Sequence, residues 1–175
     1  MKILILSDIH GYSENIIALE NEIDIFSFNN IIILGDIFSD YHTTIEDRSI
    51  IINFMNKYKD KLIVVRGNCD TVEDINDIPV EVDDVKYIKL NNKDFYFTHG
   101  NKYRYLKNDT FTNGVLIYGH EHIPYIVKES DMLYINSGSI SLPRDDNGKS
   151  FAIYDDNRIL LYKLDDLSII DSINI

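Results

Sequence analysis

Short apolar runs, each closed by a glycine or a polar residue, punctuate the chain. Ile3-Leu4-Ile5-Leu6, Ile31-Ile32-Ile33-Leu34, Leu62-Ile63-Val64-Val65, Phe95-Tyr96-Phe97-Thr98 and Val115-Leu116-Ile117-Tyr118 are the clearest. Uninterrupted runs this short, rich in β-branched and aromatic side chains, predict strands buried on both faces. Two stretches carry the helical period instead. Ser13 is a candidate cap for a helix with Ile16, Leu19 and Ile23 as its buried stripe. Ile51, Phe54, Met55 and Tyr58 fall at i, i+3, i+4 and i+7 of a second helix. Thr71 to Ile75 begins a shorter one, which Pro79 closes. From Leu133 onward strands and tight turns alternate. Phe151 to Tyr154 and Ile159 to Lys163 predict a hairpin across Asp155-Asp156-Asn157, and Leu167 to Ile173 a last strand. No repeat, linker or low-complexity stretch interrupts residues 1–175, which read as a single domain.

The residues that close the runs matter more than the runs themselves. Asp8, Asp36, Asn68, His99 and His120 each stand just past one of them. A polar residue at that position faces the carboxyl edge of a sheet, where open α/β folds bind ligands. Taken singly, each is also an ordinary turn or cap residue. If the backbone stays extended, Asp8 and His10 point to one side, and so do His120 and His122. Carboxylate and imidazole in such pairs are common ligands of zinc, manganese and iron. Four of the five histidines belong to this set of seven candidates, Asp8, His10, Asp36, Asn68, His99, His120 and His122. Seven donors exceed what one tetrahedral ion needs. They suit two ions sharing a bridging carboxylate, about 3.5–4 Å apart in such centres.

Composition narrows the partners. With 17 basic and 29 acidic residues the formal net charge is −12, which disfavours extended nucleic-acid binding and a processive nuclease. Bound divalent cations would still let an acidic protein hold a small phosphate ester. The single cysteine, Cys69, excludes an intrachain disulfide and is compatible with the cytoplasm. No apolar run approaches the length of a membrane-spanning helix, and a strand expected from residue 3 leaves no room for the charged n-region of a signal sequence.

Asp8-x-His10, Gly35-Asp36, Gly67-Asn68, His99-Gly100 and Gly119-His120-x-His122 match, in order, the five motifs of the calcineurin-like metallophosphoesterases. Arg66-Gly67-Asn68-Cys69-Asp70 and Asn136-x-Gly138-Ser139 resemble the small bacterial and archaeal YfcE-type branch. The resemblance implies an α/β protein, a four-layer α/β/β/α sandwich of two mixed sheets flanked by helices. It implies that Asp8, His10, Asp36 and His122 hold one divalent ion, and that Asp36, Asn68, His99 and His120 hold a second. Manganese is the usual metal in such relatives; nickel, iron, cobalt or zinc also suit mixed N/O ligands. The implied reaction is hydrolysis of a small or medium phosphodiester by a water shared between the ions, with no covalent intermediate. The same centre serves phosphomonoesters, and the retromer subunit related to this fold is a non-catalytic scaffold whose metal site is degraded. Relatives often self-associate.

Three departures from the family pattern stand out. Cys69 occupies the place where larger members carry a histidine thought to protonate the leaving group, and is a candidate substrate contact. Asn101 replaces a further histidine, and Ser137 stands where proline is frequent. For the pocket wall the candidates are Tyr41, His42, Tyr103 and Arg104, the last able to pair with a substrate oxygen.

Overall fold

The computed structural model describes residues 1–39 and 41–175. Strand β1 (Lys2–Leu6), helix α1 (Ser13–Glu22), β2 (Asn30–Ile33), α2 (Ile45–Lys57), β3 (Leu62–Val65), α3 (Val72–Asp77) and β4 (Val82–Asp83) alternate. Eight strands follow: β5 (Val85–Leu90), β6 (Lys93–Thr98), β7 (Gly114–Tyr118), β8 (Pro124–Glu129), β9 (Met132–Ser137), β10 (Ser150–Asp155), β11 (Arg158–Lys163) and β12 (Ile169–Asn174). They form a seven-stranded sheet, ordered β12-β11-β10-β1-β2-β3-β4, and a five-stranded one, ordered β5-β6-β7-β9-β8. Both sheets are mixed. The first pairs β1, β2, β3 and β4 in parallel, the second β6, β7 and β9.

Alternation along each strand sorts its side chains between two cores. Leu4, Leu6, Ile31, Ile33 and Val64 face α1 and α2 and meet Ile16, Leu19, Phe54 and Met55. Ile3, Ile5, Ile32 and Leu34 face the other way and meet Phe95, Phe97, Ile117 and Ile135 of the second sheet. Strand β2 is therefore buried on both sides, as its unbroken Ile-Ile-Ile-Leu run predicts. Each such Ile or Leu contributes about 1.5–3 kcal/mol by leaving water.

Over the second sheet the outer layer differs from the expected one. Among the described residues no helix lies there: α1 and α2 pack on the first sheet, and α3 is tied to α2 through Arg48. Leu116, Tyr118, Met132 and Tyr134 pack with Tyr96, Tyr125 and Val127 of the same sheet and are covered by Tyr103, Tyr105 and Phe111 of the loop between β6 and β7. Phe111 stacks on Tyr96 with ring centroids 4.2 Å apart. A loop can replace a helix here because aromatic rings bury large areas with few backbone groups to satisfy.

Two local expectations are also corrected. Ser13 is the first residue of α1, not its cap; Tyr12 takes the cap position, and the Ser13 hydroxyl donates to Asp47 Oδ1 at 2.6 Å, tying α1 to α2. Thr44 and Thr71 do cap α2 and α3, each in a reciprocal capping box with an aspartate three residues on. No helix among the described residues is long and apolar enough to cross a membrane. Within the Phe38–Thr43 segment, position 40 lies outside the described residues.

Candidate metal centre

Parallel strands end on the same side of a sheet, so β1, β2 and β3 deliver Asp8, His10, Asp36 and Asn68 to one edge. Strands β6 and β7 deliver His99, His120 and His122 to the facing edge. The route is not the extended backbone expected from the spacing. Asp8, His10, Asp36, His120 and His122 all have positive φ, between 50° and 64°. A left-handed residue bends the chain sharply, and Asp, Asn and His tolerate it better than most side chains. Each bend turns alternate residues toward one focus, while Ile9 between two of them plugs into the core. The loops after β1 and β2 continue to pair through it: Asp8, His10 and Gly11 donate N–H bonds to the carbonyls of Gly35, Asp36 and Ile37 at 2.9–3.1 Å. Strained residues held this firmly by their surroundings cluster at functional sites.

The donor atoms form two groups that meet at Asp36. In the first, Asp8 Oδ1 lies 3.2 Å from His122 Nε2 and 3.7 Å from His10 Nε2, and His10 Nε2 lies 3.8 Å from Asp36 Oδ2. In the second, His99 Nε2 lies 3.3 Å from Asp36 Oδ2, 3.0 Å from Asn68 Oδ1 and 3.2 Å from His120 Nδ1. All seven candidates are thus brought together.

Neighbouring groups aim these atoms. His99 Nδ1 donates to the Leu34 carbonyl at 2.8 Å and His122 Nδ1 to the Leu142 carbonyl at 2.6 Å. In a neutral imidazole that leaves Nε2 as a lone-pair donor facing the centre. Asp8 Oδ2 accepts from the Ser7 hydroxyl at 2.7 Å and the His120 N–H at 2.8 Å, and Asp36 Oδ1 accepts from the Cys69 N–H at 2.8 Å. One oxygen of each carboxylate is so tied down and the other turned inward. Asp8 Oδ1 is the one buried side-chain polar atom without a hydrogen-bond partner among the described residues. An orphaned buried carboxylate oxygen ringed by imidazole nitrogens suits a cation. Burial pushes the Asp8 carboxyl up, but His10, His122 and His99 outweigh it and hold the group well below the usual carboxylate range. Asp36 is likewise lowered against its own burial, chiefly by His99. The carboxylates are ready as anions, and this mixed set of imidazole and carboxylate donors fits two divalent ions.

Sequence reasoning passed over Asp70. Its buried carboxylate accepts N–H bonds from Asp36 at 2.9 Å, Ile37 at 2.8 Å and Gly67 at 2.7 Å. It therefore fixes the loops carrying Asp36 and Asn68. Ser139 was missed as well; its hydroxyl donates to the Asp8 carbonyl at 2.9 Å. An aspartate two places beyond the motif asparagine was the available signal for Asp70.

The other candidates sit at the rim. Partial burial, with the carboxylates of Asp36 and Asp70 nearby, pushes the Cys69 thiol up to about 12, so it stays protonated at neutral pH. Arg104 donates from Nη1 to the carbonyls of Gly100 and Asn101, and its Nε lies 3.3 Å from Glu121 Oε1. It thereby straps the His99 loop to the His120 loop. Tyr103 packs on Phe111 in the outer aromatic layer, and Tyr41 and His42 are exposed, with His42 tilted against Tyr12 at 5.7 Å.

Residues 1–158 match the family profile described as the calcineurin-like phosphoesterase superfamily domain. Phosphodiesterase YfcE of Escherichia coli strain K12 is 28% identical over 185 aligned positions, spanning 100% of this chain and 98% of that protein. The solved structure of E. coli YfcE, a phosphoesterase, superposes with a TM-score of 0.87 over 100% of both chains at 26% identity. Wild-type Vps29 from Entamoeba histolytica, complexed with zinc, shares the fold with a TM-score of 0.61 at 18% identity, covering 99% of each chain.

Proposed function

The chain belongs to the calcineurin-like phosphoesterase superfamily, and from that premise we propose that it is a metal-dependent phosphodiesterase acting on a small phosphodiester. Asp8, His10, Asp36 and His122 would hold one divalent ion, and Asp36, Asn68, His99 and His120 the other. The observation that carries this is the meeting of two donor groups at Asp36 Oδ2 beside the orphaned Asp8 Oδ1. When bound, the two ions would neutralise charge on the phosphoryl oxygens and acidify a water.

The protein's own part is placement. Leu34 and Leu142 set the imidazole tautomers, Asp70 fixes the Asp36 and Asn68 loops, and Arg104 joins the two histidine loops. No side chain has to form a bond to phosphorus. The full set of ligand-type residues argues for catalysis over a scaffold role, and the E. coli relative named a phosphodiesterase supports the diester reading.

The test is hydrolysis of bis-p-nitrophenyl phosphate by chelator-stripped protein, with and without Mn²⁺, beside Asp36→Asn. An aryl leaving group needs little protonation, so the absent histidine at position 69 cannot mask turnover. Mn²⁺ should restore hydrolysis in the wild type only, and the diester should outpace p-nitrophenyl phosphate. A folded, metal-loaded protein inert toward both esters would overturn the enzyme reading in favour of a scaffold.

A further inference from the structure

Beside Asn68 the two sheets part to leave a polar cavity of about 310 Å³, walled by Arg66, Gly67, Asn68, Asp84, Asn101 and Lys102. Arg66 and Asn68 follow β3, Asp84 joins β4 to β5, and Asn101 and Lys102 follow β6. Because Asn68 belongs to both the cavity wall and the donor set, any phosphoryl group at the metal centre has this cavity as its neighbour. A volume near 300 Å³ is at the small end of ligand pockets.

Its charge is out of character for the chain. In a protein of 29 acidic and 17 basic residues, two cations share this one cavity. Arg66 is exposed, and its guanidinium makes one long contact, from Nη2 to the Asp70 carbonyl at 3.4 Å. Lys102 Nζ lies 3.0 Å from Asp84 Oδ2, the single carboxylate of the cavity, with side chains 60% and 64% exposed. A pair so wet is worth about 0–1 kcal/mol and yields readily to a better anion. A guanidinium fork and an exposed ammonium lining one cavity are a combination suited to phosphate.

We propose that this cavity is the subsite for one ester group of the substrate, and that it selects a group carrying a second phosphate. The inference rests on the phosphodiesterase reading and adds the substrate class: a phosphodiester with a terminal phosphomonoester on one arm. Arg66 and Lys102 are its specificity-determining residues.

A matched pair of chromogenic esters tests this on the Mn²⁺-loaded protein: thymidine 5′-(p-nitrophenyl phosphate) and the same compound bearing a 3′-phosphate. The wild type should show a KM about ten-fold lower for the phosphorylated ester, roughly what two solvent-exposed ion pairs supply. In the Arg66→Ala/Lys102→Ala protein, both positions being exposed, that ratio should collapse to about two-fold or less. Equal KM values in the wild type, or a ratio that survives in the double variant, would overturn the subsite. Equilibrium binding of thymidine 3′,5′-bisphosphate against thymidine 5′-phosphate separates this from the parent reading. If neither ester is hydrolysed but the bisphosphate binds tighter in the wild type alone, the phosphodiesterase falls and the subsite stands. Equal affinity for the two nucleotides overturns the subsite whatever the turnover.

Discussion

Asp70 shows how one side chain outside the donor set can govern it. Its two oxygens accept three N–H bonds from the loops after β2 and β3. Burial pushes its carboxyl up while those donors pull it back, and burial prevails. Asp70→Asn would keep one acceptor oxygen and turn an NH₂ group toward N–H donors. The expected loss is about 2–3 kcal/mol of stability from unsatisfied buried groups. Affinity for Mn²⁺ should fall about ten- to a hundred-fold, as when an outer-shell partner of a metal site is removed. Denaturant titration and calorimetric metal titration of the same variant check both. The seven candidate donors were visible in sequence because their types are chemically unusual at strand ends. Asp70 was hidden because aspartate in a turn is commonplace, and only the folded loops show which amides it gathers.

Among the elements, the ligand loops depend on backbone approaches that leave no space for a Cβ. A Cβ on Gly119 would lie 1.9 Å from Ser7 Oγ and 2.4 Å from Asp8 Oδ2, on the loop of the opposite sheet. Gly35, with φ of +89°, is held as tightly against the Gly67 backbone. Gly119→Ala should therefore push the two ligand loops apart, at a cost of about 1–3 kcal/mol for overpacking. Weaker metal binding in a protein with native circular dichroism is the expected result; an unchanged metal affinity would contradict the close approach. Long apolar runs made β1, β2, β3, β6 and β7 readable in advance. Strands β4, β5 and β8 were not foreseen. β5 and β8 lie at the two edges of the second sheet and β4 at an edge of the first, where half-exposed side chains dilute the hydrophobic signal. The Asn91-Asn92 turn between β5 and β6, both residues at positive φ, was the cue overlooked. Nor did any glycine mark the left-handed bends at Asp8 and His10, so an extended path was the natural reading.

At the scale of the whole molecule, the acid response has an anchor outside the donor set. Arg48 of α2 contacts Asp74 Oδ1 of α3 at 2.6 Å and Asp77 Oδ2 at 2.8 Å, and stacks on Phe38 with its guanidinium 4.3 Å from the ring centre. Burial would raise the Asp74 carboxyl, but Arg48 and the Thr71 cap lower it overall. A folded pKa below the unfolded one stabilises the protein above the ordinary carboxylate range, and that contribution fades as pH falls through the folded value. Asp74→Asn should thus cost about 1–2 kcal/mol at neutral pH. The gap to wild type should narrow in thermal melts recorded toward pH 3; a gap constant with pH would show that the pairing contributes nothing.

The aromatic layer on the outer face of the second sheet has an optical consequence. The chain has no tryptophan and twelve tyrosines. Six of them, Tyr96, Tyr103, Tyr105, Tyr118, Tyr125 and Tyr134, are gathered in that one layer. Tyr118 and Tyr125 share a hydroxyl contact at 2.7 Å, and Tyr125 donates in turn to Glu121, between the two histidines of the β7 loop. Half of the tyrosine fluorophores therefore sit in a layer wired to the loop that carries His120 and His122. The molecule holds a built-in, label-free reporter of how that loop is set.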